Sequence, residues 1–209
     1  MCGAIKFMNL EYYWSKLLLR IRGKSIRGSS IAKSSRINSG SNIVNSQIGK
    51  YSYCGYDCWI IDAEIGSFCS ISNNVRIGGP AHPIDWVSTS PVFHNGNNML
   101  RMNFSKHSFD PYKRTIIGND VWIGECVLIK SGVKIGNGSV IGMGSVVTKD
   151  IGDYEIWAGN PARFIRNRFD KDISDRINKS QWWNESDEKM YEYSSRFNSP
   201  IDYLKENGL

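Results

Sequence analysis

Isoleucine recurs every six residues through the second half of the chain, always in the same phase. The positions are Ile117, Ile123, Ile129, Ile135 and Ile141, with Val147 in the next place. Four residues after each comes a small or β-branched side chain, and glycine often follows the isoleucine directly. A helix repeats every 3.6 residues and a simple strand every two, so neither produces this period. The hexads predict a parallel β-helix with three hexads in each coil.

The same pattern runs through the first half of the chain, with two five-residue steps that we interpret as shortened corners. Its large positions are Ile31, Ile37, Ile43, Ile48, Cys54, Ile60, Ile65, Ile71 and Ile77. Its small positions include Ser35, Ser41, Ser52, Cys58, Cys69 and Val75. We therefore expect an interior in which a stack of large side chains lies beside a stack of small ones. One coil cannot bury its own apolar face, so stability must come from coils stacking on each other.

Three segments depart from the hexads in this 209-residue chain. Residues 1–28 are predicted to form an N-terminal helical segment, and residues 29–163 the β-helix. Residues 164–209, helical from about Phe164, are predicted to fold back as a C-terminal cap. A loop over 79–114 interrupts the β-helix. Loops of this length are functional or disordered, and its aromatic residues together with all three histidines of the chain favour function.

Residues 10–22 have the spacing of a short amphipathic helix, with Tyr13, Leu17 and Arg20 on one face. Our preferred interpretation is a cap on the open first coil, which a solenoid needs for solubility. The alternative is a helix that lies on a membrane surface through Trp14 and the neighbouring lysines and arginines. The apolar runs are shorter than a membrane span and none resembles a secretion signal, so we expect a cytoplasmic protein, with peripheral contact at the inner membrane face as an option.

Charge and cysteine content narrow the expected ligands. The net charge is +6 and the pI about 9.0, but the cations are scattered, which favours an anionic small ligand over nucleic acid. The cysteines are Cys2, Cys54, Cys58, Cys69 and Cys126. Three of them, Cys54, Cys58 and Cys69, occupy interior repeat positions, which predicts reduced core thiols and no metal; a metal site at Cys54 and Cys58 is the alternative.

Several motifs together resemble the hexapeptide-repeat acetyltransferases over residues 31–196. They are the hexads, AHPID at the start of the loop, DVWIG at 120–124, IGMGSVVTKDI at 141–151 and AGNPAR at 158–163. The paired tryptophans of the tail are similar to the xenobiotic subgroup, which acetylates streptogramins and chloramphenicol. HPID is similar to sugar O-acetyltransferases, and HPIDWVSTSPVF resembles enzymes that acetylate bacterial surface polysaccharides. The resemblance implies a left-handed β-helix, a homotrimer and acetyl-CoA as the donor.

His82, at the mouth of the loop, matches the catalytic histidine of that family. Acetyl transfer to a hydroxyl needs a base, and histidine suits neutral pH. The alternative is a histidine that only hydrogen-bonds within its loop, which is how we interpret His94 and His107. Asp85 is expected to orient the imidazole or contact an acceptor hydroxyl, unless it caps the next turn.

The expected acceptor is a carbohydrate, such as a surface polysaccharide or O-antigen unit. Polar groups beside an aromatic surface suit sugar hydroxyls and ring faces, and the loop supplies such residues in Trp86, Ser88, Ser90 and Phe93. The xenobiotic alternative stays open, although Ala81 stands where that subgroup usually has asparagine before the histidine.

Trp122 occupies an outward hexad position, where the family's tryptophan lies beside the pantetheine arm of CoA; packing between subunits is the alternative. Glycines would let the arm approach the backbone, and basic side chains would meet the phosphates. The cofactor-binding residues implied by the resemblance are Trp122, Gly124, Gly142, Gly144, Ser145, Lys149, Ala158, Asn160, Pro161 and Arg163, with Lys134 as an additional candidate.

Three rival functions use similar architecture. A γ-class carbonic anhydrase needs a close pair of histidine ligands, whereas His82, His94 and His107 are separated by twelve and thirteen residues. A nucleotidyltransferase would need a nucleotide-binding domain with a glycine-rich loop ahead of the hexads. A non-catalytic scaffold would tolerate loss of His82.

Overall fold

The structure is a computed structural model that describes residues 10–206 and residue 208. Short strands separated by corners make up most of the described chain, and helices lie at its two ends. The strands are β1 (Ser25–Arg27), β2 (Ser30–Ile31), β3 (Arg36–Ile37), β4 (Asn42–Val44), β5 (Gln47–Ile48), β6 (Tyr53–Cys54), β7 (Trp59–Ile61), β8 (Ala63–Ile65), β9 (Ser70–Ile71), β10 (Arg76–Gly78), β11 (Thr115–Ile117), β12 (Trp122–Ile123), β13 (Leu128–Ile129), β14 (Lys134–Ile135), β15 (Val140–Ile141), β16 (Val146–Val147), β17 (Glu155–Gly159) and β18 (Ala162–Asn167). The helices are α1 (Leu10–Ile21), α2 (Lys171–Ser180), α3 (Asp187–Ser194) and α4 (Pro200–Glu206), with 3-10 turns at Pro91–Phe93 and Trp182–Asn184.

The strands form three sheets that run along the axis of a β-helix. Sheet 1 has the order β1-β4-β7-β10-β13-β16, sheet 2 the order β2-β5-β8-β11-β14, and sheet 3 the order β3-β6-β9-β12-β15-β17-β18. The pairing is parallel throughout, except that β18 runs antiparallel to β17. Ile43 pairs with Ile60, Ile60 with Ile77, and Ile77 with Ile129 across the loop. The predicted parallel β-helix is therefore confirmed, and the hexad isoleucines form its interior stack.

The two five-residue steps are shortened corners, as predicted. Asn45 and Asp62 lie at these corners with φ of 51° and 50°. Asn and Asp tolerate this left-handed conformation better than other residues with a Cβ atom. The Asn45 side-chain amide also donates to the Asp62 carboxylate at 3.3 Å, which links the corners of successive coils.

The small interior positions hold serines and cysteines whose polar groups are satisfied. The Ser52 hydroxyl donates to the Gly66 carbonyl at 2.8 Å and accepts from the Cys69 amide at 2.9 Å. Cys54, Cys58 and Cys69 are buried free thiols, as predicted. Burial raises the pKa of the Cys69 thiol to about 12, which keeps it protonated at neutral pH. Cys126 is exposed, and Cys2 lies outside the described residues.

Helix α1 forms where the sequence predicts it. None of its twelve residues is buried, and Ile26 in the first coil stays 41% exposed. Leu19 is half-buried and the other large apolar side chains of α1 are exposed, so the cap stays a prediction. None of the helices in the described part of the chain has the length and hydropathy needed to cross a bilayer.

The C-terminal tail begins as a strand and only then becomes helical. Contrary to the helix expected from about Phe164, β18 continues to Asn167 and pairs with β17, with Phe164 opposite Trp157. The reason is that β17 leaves the edge of sheet 3 open, and a following strand can satisfy its backbone groups. Helices α2 and α4 then pack over Tyr154, where Ile177, Tyr203 and Leu204 form a second small core.

We predict that Tyr154→Phe raises the thermal stability of the protein. The Tyr154 ring is buried and its hydroxyl has no hydrogen-bond partner in the described structure. Removing an unsatisfied buried hydroxyl should add about 1 kcal/mol to the free energy of unfolding. Tyr203→Phe is the matched control, because Tyr203 is also buried but hydrogen-bonds Ser180, and it should lower stability. Thermal unfolding of the two variants measures both effects; a loss of stability in Tyr154→Phe would contradict the prediction.

Candidate active site

The loop over residues 79–114 joins β10 to β11 and is held by a group of packed rings. Trp86 packs edge-on against His107 and Phe109, with ring centroids 5.9 and 5.8 Å apart. His94 lies 5.4 Å from Phe109 and is only 8% exposed. We call Trp86, His94, His107 and Phe109 the loop aromatic cluster. It explains why this long segment has a defined shape and assigns His94 and His107 a packing role.

His82 follows the last strand before the loop and is exposed to solvent. Its Nδ1 lies 2.8 Å from the backbone carbonyl of Thr89. A carbonyl can only accept, so Nδ1 must carry the proton and donate it. In the neutral ring Nε2 is then the unprotonated nitrogen, available to accept a proton. The backbone thus selects the tautomer that a general base needs.

Asp85 does not make the contact with His82 Nδ1, because the Thr89 carbonyl makes it. Asp85 is exposed instead, and it lines two neighbouring clefts. This position leaves its carboxylate available to a bound molecule. Of the roles considered from the sequence, contact with an acceptor hydroxyl fits this placement best.

The cleft that contains His82 has a volume of about 630 Å³, within the usual range for small-molecule sites. Besides loop residues from Gly78 to Asp85, it is lined by corner residues of later coils. Further charged groups of the lining are Lys113, at the end of the loop, and Lys130 and Asp150, at the corners. We call this the His82 cleft.

A second cleft of about 710 Å³ adjoins the first through Asp85. Its lining is Asp85, Trp86, Val87, Ser88, Phe93, Ser105, His107 and Ser108. It therefore brings together three of the four predicted acceptor-binding residues. Ser90 differs, because it precedes the 3-10 turn at Pro91–Phe93 and its amide donates to the Ser88 hydroxyl at 3.1 Å. We call this the loop cleft.

Most of the predicted cofactor-binding residues stack at one corner of the β-helix, between sheets 3 and 1. The Gly124 amide donates to Ile141 and the Gly142 amide to Trp157, at 2.9 and 2.8 Å. A Cβ atom on Gly124 would lie 2.6 Å from the Met143 amide nitrogen, and one on Gly142 would lie 2.9 Å from Cβ of Ala158. These two glycines are thus required by coil stacking.

Gly144, by contrast, faces open space. Its φ is +69°, and no atom lies within 4 Å of where its Cβ would be. The neighbouring Ser145 is buried, with its hydroxyl 2.5 Å from the Gly142 carbonyl and accepting from the Gly159 amide at 3.1 Å. We call Gly124, Gly142, Gly144 and Ser145, with the Ala158–Arg163 turn that follows, the glycine column.

The turn at Ala158–Arg163 closes the hairpin between β17 and β18, with Ala158 opposite Arg163. Asn160 and Pro161 form its exposed tip, joined by a cis peptide bond. The Lys149 and Arg163 side chains are exposed, as phosphate binding requires. Trp122, on the outer face of sheet 3, is 57% exposed.

Known proteins share both the repeat and the fold. The family model "Bacterial transferase hexapeptide (six repeats)" matches residues 114–149. A chloramphenicol acetyltransferase from Agrobacterium fabrum (strain C58) is 37% identical over 158 residues, which cover 66% of this chain and 75% of that protein. A galactoside O-acetyltransferase from Escherichia coli (strain K12) is 39% identical over 136 residues, covering 64% of this chain and 58% of that protein.

The chain belongs to the hexapeptide-repeat acetyltransferase family. The expectation that it is an acetyltransferase is thereby confirmed. Its fold is also that of a variant of AntD, an N-acyltransferase from Bacillus cereus, solved in complex with dTDP and coenzyme A. The TM-score is 0.57 at 22% identity, over 77% of this chain and 87% of that one.

Within one chain of this acetyltransferase, the two halves of the predicted site lie apart. The glycine column precedes β13 and β16 in sheet 1, whereas the His82 cleft includes Thr148 and Asp150, which follow β16. No residue of the glycine column, and not Trp122, is among the described residues that line the His82 cleft. The candidate base and the candidate donor site therefore face different corners of the same β-helix.

Sequence analysis missed several residues of the acetyltransferase site. The contact from Thr89 could not be read from the sequence, because it uses the backbone carbonyl, which every residue has. Thr148 and Asp150 flank Lys149 in the IGMGSVVTKDI motif, so their position after β16, where they line the His82 cleft, could have been predicted. Lys113 and Lys130 reach the His82 cleft only because the end of the loop packs on the coil of Gly132, where a Cβ would lie 3.0 Å from Lys113.

None of the described residues forms a cluster of three or more metal-ligating side chains. Two of the three histidines are engaged in the loop aromatic cluster. The His94 Nδ1 also lies 2.7 Å from the Asn95 carbonyl, which commits that nitrogen to donation.

Proposed function

We propose that this acetyltransferase transfers the acetyl group of acetyl-CoA to a hydroxyl of a carbohydrate, such as a surface polysaccharide or an O-antigen unit. The observation that carries the proposal is the hydrogen bond from His82 Nδ1 to the Thr89 carbonyl at 2.8 Å. It holds the ring in the tautomer that can accept a proton at Nε2, in a cleft large enough for a small substrate.

His82 would act as a general base in a complex that holds both substrates. The acceptor hydroxyl gives its proton to Nε2 while its oxygen attacks the thioester carbonyl carbon. The carbon–sulfur bond then breaks, and the imidazolium returns the proton to the departing thiolate. The products are an acetyl ester and free CoA, and His82 regains its starting state. The Thr89 carbonyl holds the ring in this orientation throughout.

The chemistry of the loop cleft supports a carbohydrate acceptor. Trp86 and Phe93 provide aromatic faces, and Ser88, Ser108 and the Asp85 carboxylate provide hydrogen-bonding groups along the same wall. Sugars present apolar ring faces and hydroxyls together, so a mixed wall of this kind suits them. Asp85 borders both clefts and is placed to orient an acceptor with its reactive hydroxyl toward His82.

The second candidate acceptor is a hydroxylated antibiotic of the chloramphenicol type. It is favoured by the 37% identity to a chloramphenicol acetyltransferase over three quarters of that protein. The same aromatic wall would suit an aromatic antibiotic. Against it stands Ala81, which lacks the side-chain amide expected before the histidine of the xenobiotic subgroup.

The glycine column supports CoA binding in a specific way. Gly144 has open space where a side chain would be, so a thin pantetheine arm can approach the backbone there. Exposed Trp122 would flank the arm, and Lys149 and Arg163 would meet phosphates near the Asn160–Pro161 tip. Of the other predicted residues, Gly124, Gly142 and Ser145 shape this corner from within.

A homotrimer with sites between subunits is part of the proposal. Since the glycine column and the His82 cleft face different corners, one chain cannot bring its own two halves together without a rearrangement. A neighbour related by threefold symmetry would place its glycine column beside this His82 cleft. We place the reaction in the cytoplasm, where acetyl-CoA is available.

The test is a survey of acceptors with purified protein and acetyl-CoA, following thiol release. The panel contains nucleotide sugars, lipid-linked repeat units, polysaccharides, chloramphenicol and a streptogramin. We expect release that depends on a carbohydrate and disappears in His82→Ala. Release only with an antibiotic would replace the carbohydrate by the second candidate. No release with any acceptor, combined with failure to bind CoA by calorimetry, would favour a non-catalytic scaffold.

Trp122→Ala is predicted to raise the KM for acetyl-CoA about tenfold, because an aromatic wall buried by a ligand contributes about 1.5 kcal/mol. Trp59→Ala is the matched control. Trp59 is also exposed on an outer sheet face, but it packs on Arg76 in sheet 1, 5.3 Å from the guanidinium. Steady-state kinetics should show the KM change only in the first variant. Equal changes in both would mean that Trp122 acts through subunit packing.

A further inference from the structure

One face of α1 is apolar and is left exposed by the rest of the described chain. Six large side chains repeat along it at three- and four-residue spacing, and all six are exposed. They are Leu10, Tyr13, Trp14, Leu17, Leu18 and Ile21, and we call them the α1 stripe. Trp14 is 63% and Ile21 70% exposed. A helix that packs on its own domain buries such a face, so the α1 stripe is built for something outside this chain.

The C-terminal end of α1 is attached to the β-helix. Arg22, directly after α1, pairs with Asp57, and the Gly23 carbonyl accepts from the Gly40 amide at 2.6 Å. These contacts hold the end of α1 at the first coil while the α1 stripe stays free. The twelve residues of α1 are about 18 Å long, which suits a helix lying on a bilayer and not one crossing it.

Cations border the α1 stripe. On a helical wheel Lys16 and Arg20 lie beside Tyr13, and Glu11 is the only acidic residue of the helix. Two more cations, Lys24 and Arg27, follow the helix, whereas Arg22 is engaged by Asp57. An apolar face with Trp and Tyr, flanked by Lys and Arg, is typical of helices that insert into the interface of anionic membranes. The cations would meet lipid phosphates while the aromatic rings and leucines enter the acyl boundary.

We propose that α1 docks this protein on an anionic lipid surface through the α1 stripe. The charge pattern selects lipid over a second copy of the chain, because a copy would bring the same cations to the contact. The inference goes beyond the proposed reaction and does not depend on the identity of the acceptor. Its consequence is that catalysis would take place next to the membrane.

The experiment is sedimentation of the full-length protein with vesicles of phosphatidylcholine, with or without phosphatidylglycerol. We expect binding to the anionic vesicles that weakens as salt is added. Leu17→Ser should weaken it about tenfold, because it removes a leucine from the buried face. Leu19→Ser is the matched control: it is the same substitution two residues further on, on the opposite face of α1, and it should leave binding unchanged. Lys16→Glu with Arg20→Glu should weaken binding about tenfold or more.

Three results would overturn the proposal: no binding of the unaltered protein to anionic vesicles, equal losses in Leu17→Ser and Leu19→Ser, or a changed oligomeric mass in Leu17→Ser by light scattering. The last would show that another copy covers the α1 stripe. Acetyl transfer to a water-soluble acceptor, measured without vesicles, should be the same in all these variants. That assay separates failure of lipid docking from failure of the proposed reaction.

Discussion

His82→Ala is expected to lower kcat by a factor of about 10² to 10⁴, the usual contribution of a general base. The neutral ring accepts the hydroxyl proton at Nε2, and without it the acceptor must attack as an alcohol. CoA should still bind, because the substitution leaves all the proposed CoA-binding residues unchanged. Initial rates at saturating acetyl-CoA, together with calorimetric CoA binding, measure the two effects separately.

Added imidazole provides the control for this variant. If the missing group is a base, free imidazole that enters the space left by His82 should restore part of the rate. Thermal unfolding should be almost unchanged, because His82 is exposed and, among the described residues, hydrogen-bonds only the Thr89 carbonyl. A variant with a near-normal rate would remove His82 from the mechanism.

Mixing two inactive variants is expected to restore activity, if the site is shared between subunits. His82→Ala removes the base but keeps an intact glycine column. Gly144→Tyr keeps His82 and fills the space beside the column, where no atom lies within 4 Å. Each variant alone should be inactive. An interface is complete when the Gly144→Tyr subunit supplies His82 and the His82→Ala subunit supplies the glycine column. In randomly mixed trimers, about a quarter of all interfaces are of this kind.

Co-expression with two affinity tags, followed by purification through both tags, isolates the mixed trimers. Activity near one third of the unaltered value per purified trimer is expected, because each mixed trimer has one complete interface out of three. No activity in the mixed trimers, with both parents folded and trimeric, would place the complete site within a single chain. Gly144→Ala is the control for backbone strain, because it has the same left-handed φ requirement with only a methyl group in the open space.

The architecture of the coils could be predicted because it depends on the spacing of residues that are close together in the sequence. The six-residue period at Ile117 to Ile141 and the two five-residue steps translate directly into stacked coils and shortened corners. The tail was harder to predict. Phe164 to Asn167 form a strand because β17 leaves an open sheet edge, and an edge created by tertiary structure has no signal in the segment that pairs with it.

The candidate site shows the same division. Residue type and motif were sufficient to single out His82, Trp86 and Phe93, and the structure places the last two on one cleft wall next to the His82 cleft. They were not sufficient to assign roles. The contact with His82 Nδ1 comes from a backbone carbonyl and not from Asp85, and Ala158 fills the space beside Gly142 whereas the space beside Gly144 is open.

The sequence by itself determined the repeat, the side-chain stacks of the interior, the position of the long loop and the amphipathic face of α1. Each of these depends on residues close together in the chain. Only the tertiary structure decided that Thr89 holds His82, that Gly144 is open while Gly124 is closed, and that the α1 stripe remains uncovered. These outcomes depend on which atoms meet across coils and across the loop, and residue spacing carries no information about such contacts.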